Sequence, residues 1–210
     1  MNNRSSKVLR LVELALLAAL VVVLQFMGSF IKIGPLELSL VLVPITIGAC
    51  LLGPMAGAFL GAIFGVITMI AGINGTSPFS AMLWQVNPVC FVVICLLKAI
   101  LAGLGTGLIY KALNALFKEK HITLTTVLAS LAAPVINTGI FVLGMFLCFS
   151  DTMAGLPAAV PDAFGQFGNA FQVVFVGLAG INFIGEFLLN LVLSPTIKRV
   201  LDIINNKIRR

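Results

Sequence analysis

The sequence predicts an all-α membrane protein, a single bundle of six transmembrane helices with both termini in the cytoplasm. Three observations carry this. Of the 210 residues 60% are apolar and only 10% charged, and the mean hydropathy is +1.15; water-soluble domains run near half apolar and a quarter charged. The apolar residues gather in runs of the ~20-residue length that a bilayer core demands. The basic residues cluster where six crossings return to one side.

The six spans are 8–29, 37–52, 54–73, 88–113, 122–149 and 171–198. Their length exceeds what a strand needs, and they lack the alternation of a lipid-facing barrel. The basic start and Leu14–Leu24 have the outline of a secretory leader. The bulky stretch Phe26-Met27-Gly28-Ser29-Phe30 offers no small-x-small cleavage site, so the first span is read as a retained helix. The second span is short and ends at Gly53-Pro54, a turn signal. On the third, Gly57, Gly61 and Gly65 form a small-residue row beside Ala58 and Ala62, and Gly103 and Gly107 repeat the spacing on the fourth. Such rows let helix backbones approach closely, and packing inside the bundle is the expected use. Ala15 and Ala19 make a similar pair on the first span, suited to packing or to docking another membrane helix.

Eleven of the thirteen Lys and Arg fall in three clusters: Arg4, Lys7 and Arg10; Lys111, Lys118 and Lys120; Lys198, Arg199, Lys207, Arg209 and Arg210. The positive-inside rule places all three in the cytoplasm. Segment 150–168 carries Asp151 and Asp162 without a basic residue and belongs outside. The net charge of +6 therefore reports topology and implies no nucleic-acid partner. No polar stretch is long enough for a soluble domain, so residues 1–210 are read as one membrane domain, and an ATPase would be another polypeptide.

Polar residues inside the spans carry the chemistry. Lys98 stands near the centre of the fourth span, thirteen residues from Lys111, about 20 Å of helix and beyond snorkelling reach. Glu186 is equally central in the sixth span, with Asn182 and Asn190 one turn to either side, and Asn137 lies mid-way along the fifth. A mid-bilayer charge costs about 2.5–3.5 kcal/mol on insertion scales, so these groups face one another or a shared cavity. Two readings stay open. Lys98 and Glu186 form an ion pair fastening two helices, with Asn137 as hydrogen-bond glue, or at least one of them binds a ligand. The outer connection 74–87 adds Asn74, Trp84 and Asn87 above this level. Asn87 before Pro88 also suits a helix N-cap, and the sole tryptophan an interfacial anchor. A pocket open to the outside with a cation below fits a small, polar, anionic solute.

No catalytic constellation is present: no serine–histidine arrangement, no paired-aspartate motif and no phosphate-binding glycine loop. His121 stands alone in a basic loop, and Cys50, Cys90, Cys95 and Cys148 lie in apolar stretches without metal-site spacing. The expectation is a protein without enzymatic activity, metal or cofactor. A stand-alone small transporter or channel is the rival class, because mid-membrane charges also serve ion coupling.

The stretch from Ile33 through Leu40 into Pro44–Val66, with its Leu52-Gly53-Pro54 turn and glycine row, resembles the substrate-binding S components of energy-coupling factor (ECF) vitamin transporters. Lys98 followed by Gly103 resembles the basic segment of the family's fourth helix, with Lys in place of the more usual Arg. Asn182-Phe-Ile-Gly-Glu186 and Ser194-Pro195 resemble the end of the sixth. The resemblance implies a subunit that captures a vitamin from outside and works with a membrane coupling (T) subunit and two cytoplasmic ATPases. It implies that Ala15 and Ala19 face the coupling subunit. Ile33-Gly-Pro-Leu36 and Thr76–Pro88 are most similar to pantothenate-type members, with the riboflavin type next.

Overall fold

In a bilayer the backbone has no water to bond, so each apolar run closes its hydrogen bonds within a helix. The structure, a computed structural model, describes residues 3–28, 32–33, 36–37, 39–117 and 122–208. In chain order these form α1 (Asn3–Gly28), the two-residue strands β1 (Lys32–Ile33) and β2 (Leu36–Glu37), and α2 (Leu42–Leu52). Then follow α3 (Pro54–Ile73), α4 (Pro78–Val86), α5 (Pro88–Leu116), α6 (Ile122–Ala159) and α7 (Pro161–Phe164). The chain finishes with α8 (Ala170–Gln172), a π-helix (Val173–Gly180) and α9 (Ile181–Ile208). His121, Lys118, Lys120, Gly34, Pro35, Arg209 and Arg210, which the sequence reading used, lie outside the described residues.

The all-helical membrane architecture follows the expectation, with four local differences. Among the described residues, five segments are long and apolar enough to cross a membrane: Lys7–Gly28, Pro54–Ile73, Pro88–Leu116, Thr123–Ala159 and Ala170–Val200. Helix α2 is not among them. It starts at Leu42 rather than residue 37, and its 11 residues span only about 16 Å. Pro44 has no N–H and is tolerated in a first turn, so the helix begins just ahead of it. The chain before α2 folds back instead, as an antiparallel pair with Lys32 opposite Glu37 and Ile33 opposite Leu36.

The fifth span, expected to end at 149, bends at Phe149 (φ −133°, ψ 20°) and runs on to Ala159. Segment 150–168, expected to lie between the fifth and sixth spans, is largely helical, and Met153, Leu156 and Phe164 bury against the core. The sixth span opens with the short α8 and then runs as eight residues of π-helix before α9 begins.

Close backbone contact explains the glycine rows. A Cβ on Gly57 would lie 2.5 Å from the Gly103 carbonyl oxygen, and one on Gly65 would lie 2.8 Å from that of Cys95. A Cβ on Gly61 would strike the Ala99 carbonyl oxygen outright. The third and fourth spans thus meet backbone to backbone, the geometry small residues permit. Gly53 adopts φ 103°, open to glycine at no steric cost, and reverses the chain between α2 and α3. α5 packs between α3 and α6, α6 on α9, and α9 back on α2. One core gathers Phe79, Leu83, Phe91, Ile94, Met145 and Phe149, and a second gathers Val21, Leu42, Ile45, Leu60, Phe64 and Ala99.

Candidate functional site

Between these helices lies a cavity with about 900 Å³ of atom-free space, part of it continuous with solvent. Its wall is built from the end of α1 (Gln25, Gly28), the second half of α3, α4, the first half of α5, and the facing parts of α6 and α9. Of the residues anticipated from sequence, Lys98, Asn137, Asn182 and Glu186 all line it.

Glu186 is buried, 1% exposed. Its two carboxylate oxygens accept from different amides: Asn137 Nδ2 donates to Oε2 at 3.5 Å and Asn182 Nδ2 to Oε1 at 3.2 Å. Asn190, one turn on, turns its Nδ2 to the Glu186 backbone carbonyl at 2.9 Å. The i, i+4 spacing of Asn182, Glu186 and Asn190 puts the three on one face of α9. The carboxamide oxygens of Asn137, Asn182 and Asn190 and the Ser39 hydroxyl are buried without a partner. Unsatisfied buried acceptors are costly, and water or ligand donors are what satisfy such groups.

Lys98 behaves differently. Among the described residues its ammonium pairs with no carboxylate within 4.0 Å; it lies 5.8 Å from the Phe64 ring centroid and 5.4 Å from that of Phe141. The ion pair to Glu186, one of the two readings of the sequence, is therefore not formed: amides hold the carboxylate and aromatic faces hold the cation.

The three residues of the outer connection fall elsewhere. Asn74 ends α3, with its backbone N–H on the Ile70 carbonyl, and is exposed. Asn87 caps α5, its Oδ1 accepting from the Cys90 N–H at 3.1 Å. Trp84 packs edge-on against Phe91 at 6.2 Å. None of the three lines the cavity. Their connection folds into α4, which with its N-cap residue Ser77 presents Phe79, Ser80 and Leu83 to the cavity instead. Thr68 and Thr138 complete the polar lining, and Phe64, Phe91, Phe141 and Met145 the apolar one. The threonines, polar residues within apolar spans, carried a legible signal; the phenylalanines, four among sixteen in the chain with Phe79, did not. No cluster of three or more His, Cys, Asp or Glu able to hold a metal occurs among the described residues.

Ala15 and Ala19 are exposed on α1, whose Leu14, Leu17 and Ala18 pack inward.

A multi-pass helical membrane protein with charged and amide side chains lining a cavity among its helices has the form of a solute-binding membrane component. Residues 9–197 match the family "ECF transporter, substrate-specific component", and the chain belongs to that family. The family is a transporter component, not an enzyme. The chain is similar to the pantothenic acid transporter PanT of Lactococcus lactis subsp. cremoris (strain MG1363), 29% identical over 71% of this chain and 79% of that protein. Its fold is similar to the solved structure of ThiT from Listeria monocytogenes, with a TM-score of 0.63, 18% identity, and coverage of 92% of this chain and 96% of that one.

Proposed function

We propose that the protein is the membrane-embedded binding subunit of an ECF-type importer, that its ligand is pantothenate, and that Lys98, Asn137, Asn182 and Glu186 form the core of the binding site. The observation that carries this is the Lys98 ammonium, held by two aromatic faces in a cavity without a carboxylate partner among the described residues. A ligand carboxylate is the natural counter-ion, and a desolvated charge pair of this kind is a strong determinant of binding. Pantothenate also carries two hydroxyls and an amide that match the unpartnered Asn oxygens, and a dimethyl-substituted carbon suited to the Phe-lined wall. The similarity to PanT adds independent support.

The orientation fits. The cavity-lining residues lie at the middle of their spans or on the side that the basic clusters assign to the outside, which supports a cavity facing the source of the vitamin. Delivery inward then requires a membrane coupling subunit and two cytoplasmic ATPases, with Ala15 and Ala19 as the docking face. N- and C-termini lie in the cytoplasm.

Equilibrium binding to the purified protein tests the ligand, with pantothenate set against riboflavin and thiamine, alongside mass spectrometry of co-purifying small molecules. Saturable binding of pantothenate alone is expected; selective binding of another vitamin overturns the assignment. Uptake in reconstituted vesicles is expected to need the ATPases, and uptake without them would make the chain a stand-alone transporter.

A further inference from the structure

Glu186 is the least exposed charged group of the cavity wall, yet it is not the partner of the cavity's cation. Its two oxygens are each engaged by the amide nitrogen of an asparagine on a different element, Asn137 from α6 and Asn182 from its own helix. An ionised carboxylate accepts hydrogen bonds and donates none, so an asparagine facing it must present Nδ2. The opposite end of each amide is then necessarily Oδ1. Both oxygens are buried and without a partner, in residues that line the cavity, and Asn137 is only 4% exposed. Left to itself, an asparagine can turn either its oxygen or its nitrogen toward a ligand. Here the carboxylate removes the choice twice.

We infer that Glu186 is a positioning residue that fixes the side chains of Asn137 and Asn182 as a pair of hydrogen-bond acceptors, selecting ligands that carry two donor groups, hydroxyl or amide N–H, beside an anionic group. This rests on the reading of the cavity as the ligand site and specifies its chemistry. Lys98 supplies the anion's partner; the asparagine pair reads the donors. A site built to satisfy buried acceptors rejects an analogue lacking the matching donor far more strongly than it rejects a change in apolar size, because the acceptor stays unpaired. The ligand class is thus a hydroxylated or amidated carboxylic acid, and an acid without donors is excluded along with a neutral polyol.

The experiment compares pantothenate with its two monodeoxy analogues, each lacking one hydroxyl, and with the alcohol in which the carboxylate is reduced, on wild-type protein and Glu186→Gln. Glutamine offers one acceptor and one donor group, so one asparagine turns over and presents nitrogen to the cavity. In wild type at least one deoxy analogue is expected to bind ten-fold or more weaker than pantothenate. In Glu186→Gln that ratio is expected to fall below three-fold while discrimination against the alcohol, read by Lys98, persists. The double variant Glu186→Gln with Asn137→Asp exchanges amide and carboxylate, restores an acceptor at 137, and is expected to recover the deoxy ratio. Equal loss of affinity for pantothenate and both deoxy analogues in Glu186→Gln, or no recovery in the double variant, overturns the positioning role.

A second measurement is independent of ligand. Infrared difference spectra between wild type and Glu186→Gln are expected to show ionised carboxylate bands that shift on Asn137→Leu and on Asn182→Leu. A protonated carboxyl band, or bands indifferent to both asparagines, overturns the inference even where pantothenate proves not to be the ligand. Absence of pantothenate binding with the carboxylate bands as expected overturns the functional reading alone.

Discussion

Replacing Lys98 by methionine removes the ammonium and keeps most of the apolar stem, so its effect on the empty protein can be worked from the surroundings of the charge. Lost are the contacts to the Phe64 and Phe141 rings at 5.8 and 5.4 Å, about 0.5–1 kcal/mol each. Relieved is the burden of a cation at mid-membrane, about 2.5–3.5 kcal/mol on insertion scales. No carboxylate is stranded, because Asn137 and Asn182 hold Glu186. The empty variant should therefore be as stable as wild type or slightly more so. Had Lys98 been the sole partner of Glu186, the same change would destabilise by about 3–5 kcal/mol. Affinity behaves oppositely: removing one member of a desolvated charge pair should weaken pantothenate binding by about 2–5 kcal/mol, roughly 30-fold to several thousand-fold. Titration calorimetry and thermal unfolding in detergent read the two quantities on one sample. Unchanged affinity in a stable variant refutes the site assignment. A large stability loss recovered by adding Glu186→Gln refutes the separation of the two charges.

Four further outcomes follow from the packing. Gly61→Leu should destabilise the bundle by at least about 1–3 kcal/mol, since even its Cβ meets the Ala99 carbonyl; unfolding temperature or the folded fraction on extraction reads this. Asn87→Ala should lower stability by about 0.5–2 kcal/mol through loss of the α5 cap and leave pantothenate affinity unchanged in calorimetry, with Asn87→Ser restoring stability. Replacing Ala15 and Ala19 together by Leu should abolish reconstituted uptake while preserving binding by the isolated subunit; equal loss of both would place the pair inside the fold rather than at a docking face. In a background lacking the four native cysteines, a membrane-impermeant thiol reagent should label a cysteine at Ala158 in intact cells and not one at Glu119, and the reverse pattern would invert the bundle.

What could be read from sequence was whatever obeys bilayer physics one helix at a time. Lys98 and Glu186 announced themselves because a charge thirteen or twelve residues from the nearest basic anchor cannot reach water, and both line the cavity. The glycine rows announced themselves by spacing, and they pack α3 on α5. The pairing within the cavity was not legible. Charge alone matched Lys98 with Glu186, whereas the three-dimensional fold offered each a different partner, amides for one and aromatic faces for the other. The outer connection shows a second limit. Asn74, Trp84 and Asn87 were singled out by residue type, but once the stretch folds as α4 the helical period turns Ser77 and Ser80 inward. Helix α2 shows a third, since hydropathy cannot tell an apolar strand-and-turn from the first turns of a helix.

The π-helix Val173–Gly180 stands between α8 and the asparagine–glutamate face of α9. Each i→i+5 bond closes a loop one residue longer than its α-helical equivalent, so the backbone there holds a spare residue. Deleting one residue lets the same stretch close as ordinary α-helix, and the turn it removes is taken up before Asn182 is reached. Phe171 on one flank and Asn182 and Glu186 on the other would keep their bearings, whereas the same deletion in an ordinary α-helix would swing one flank by about 100°. The segment is thus an expansion joint: one residue can be lost here over generations of descent without re-aiming Asn182 and Glu186.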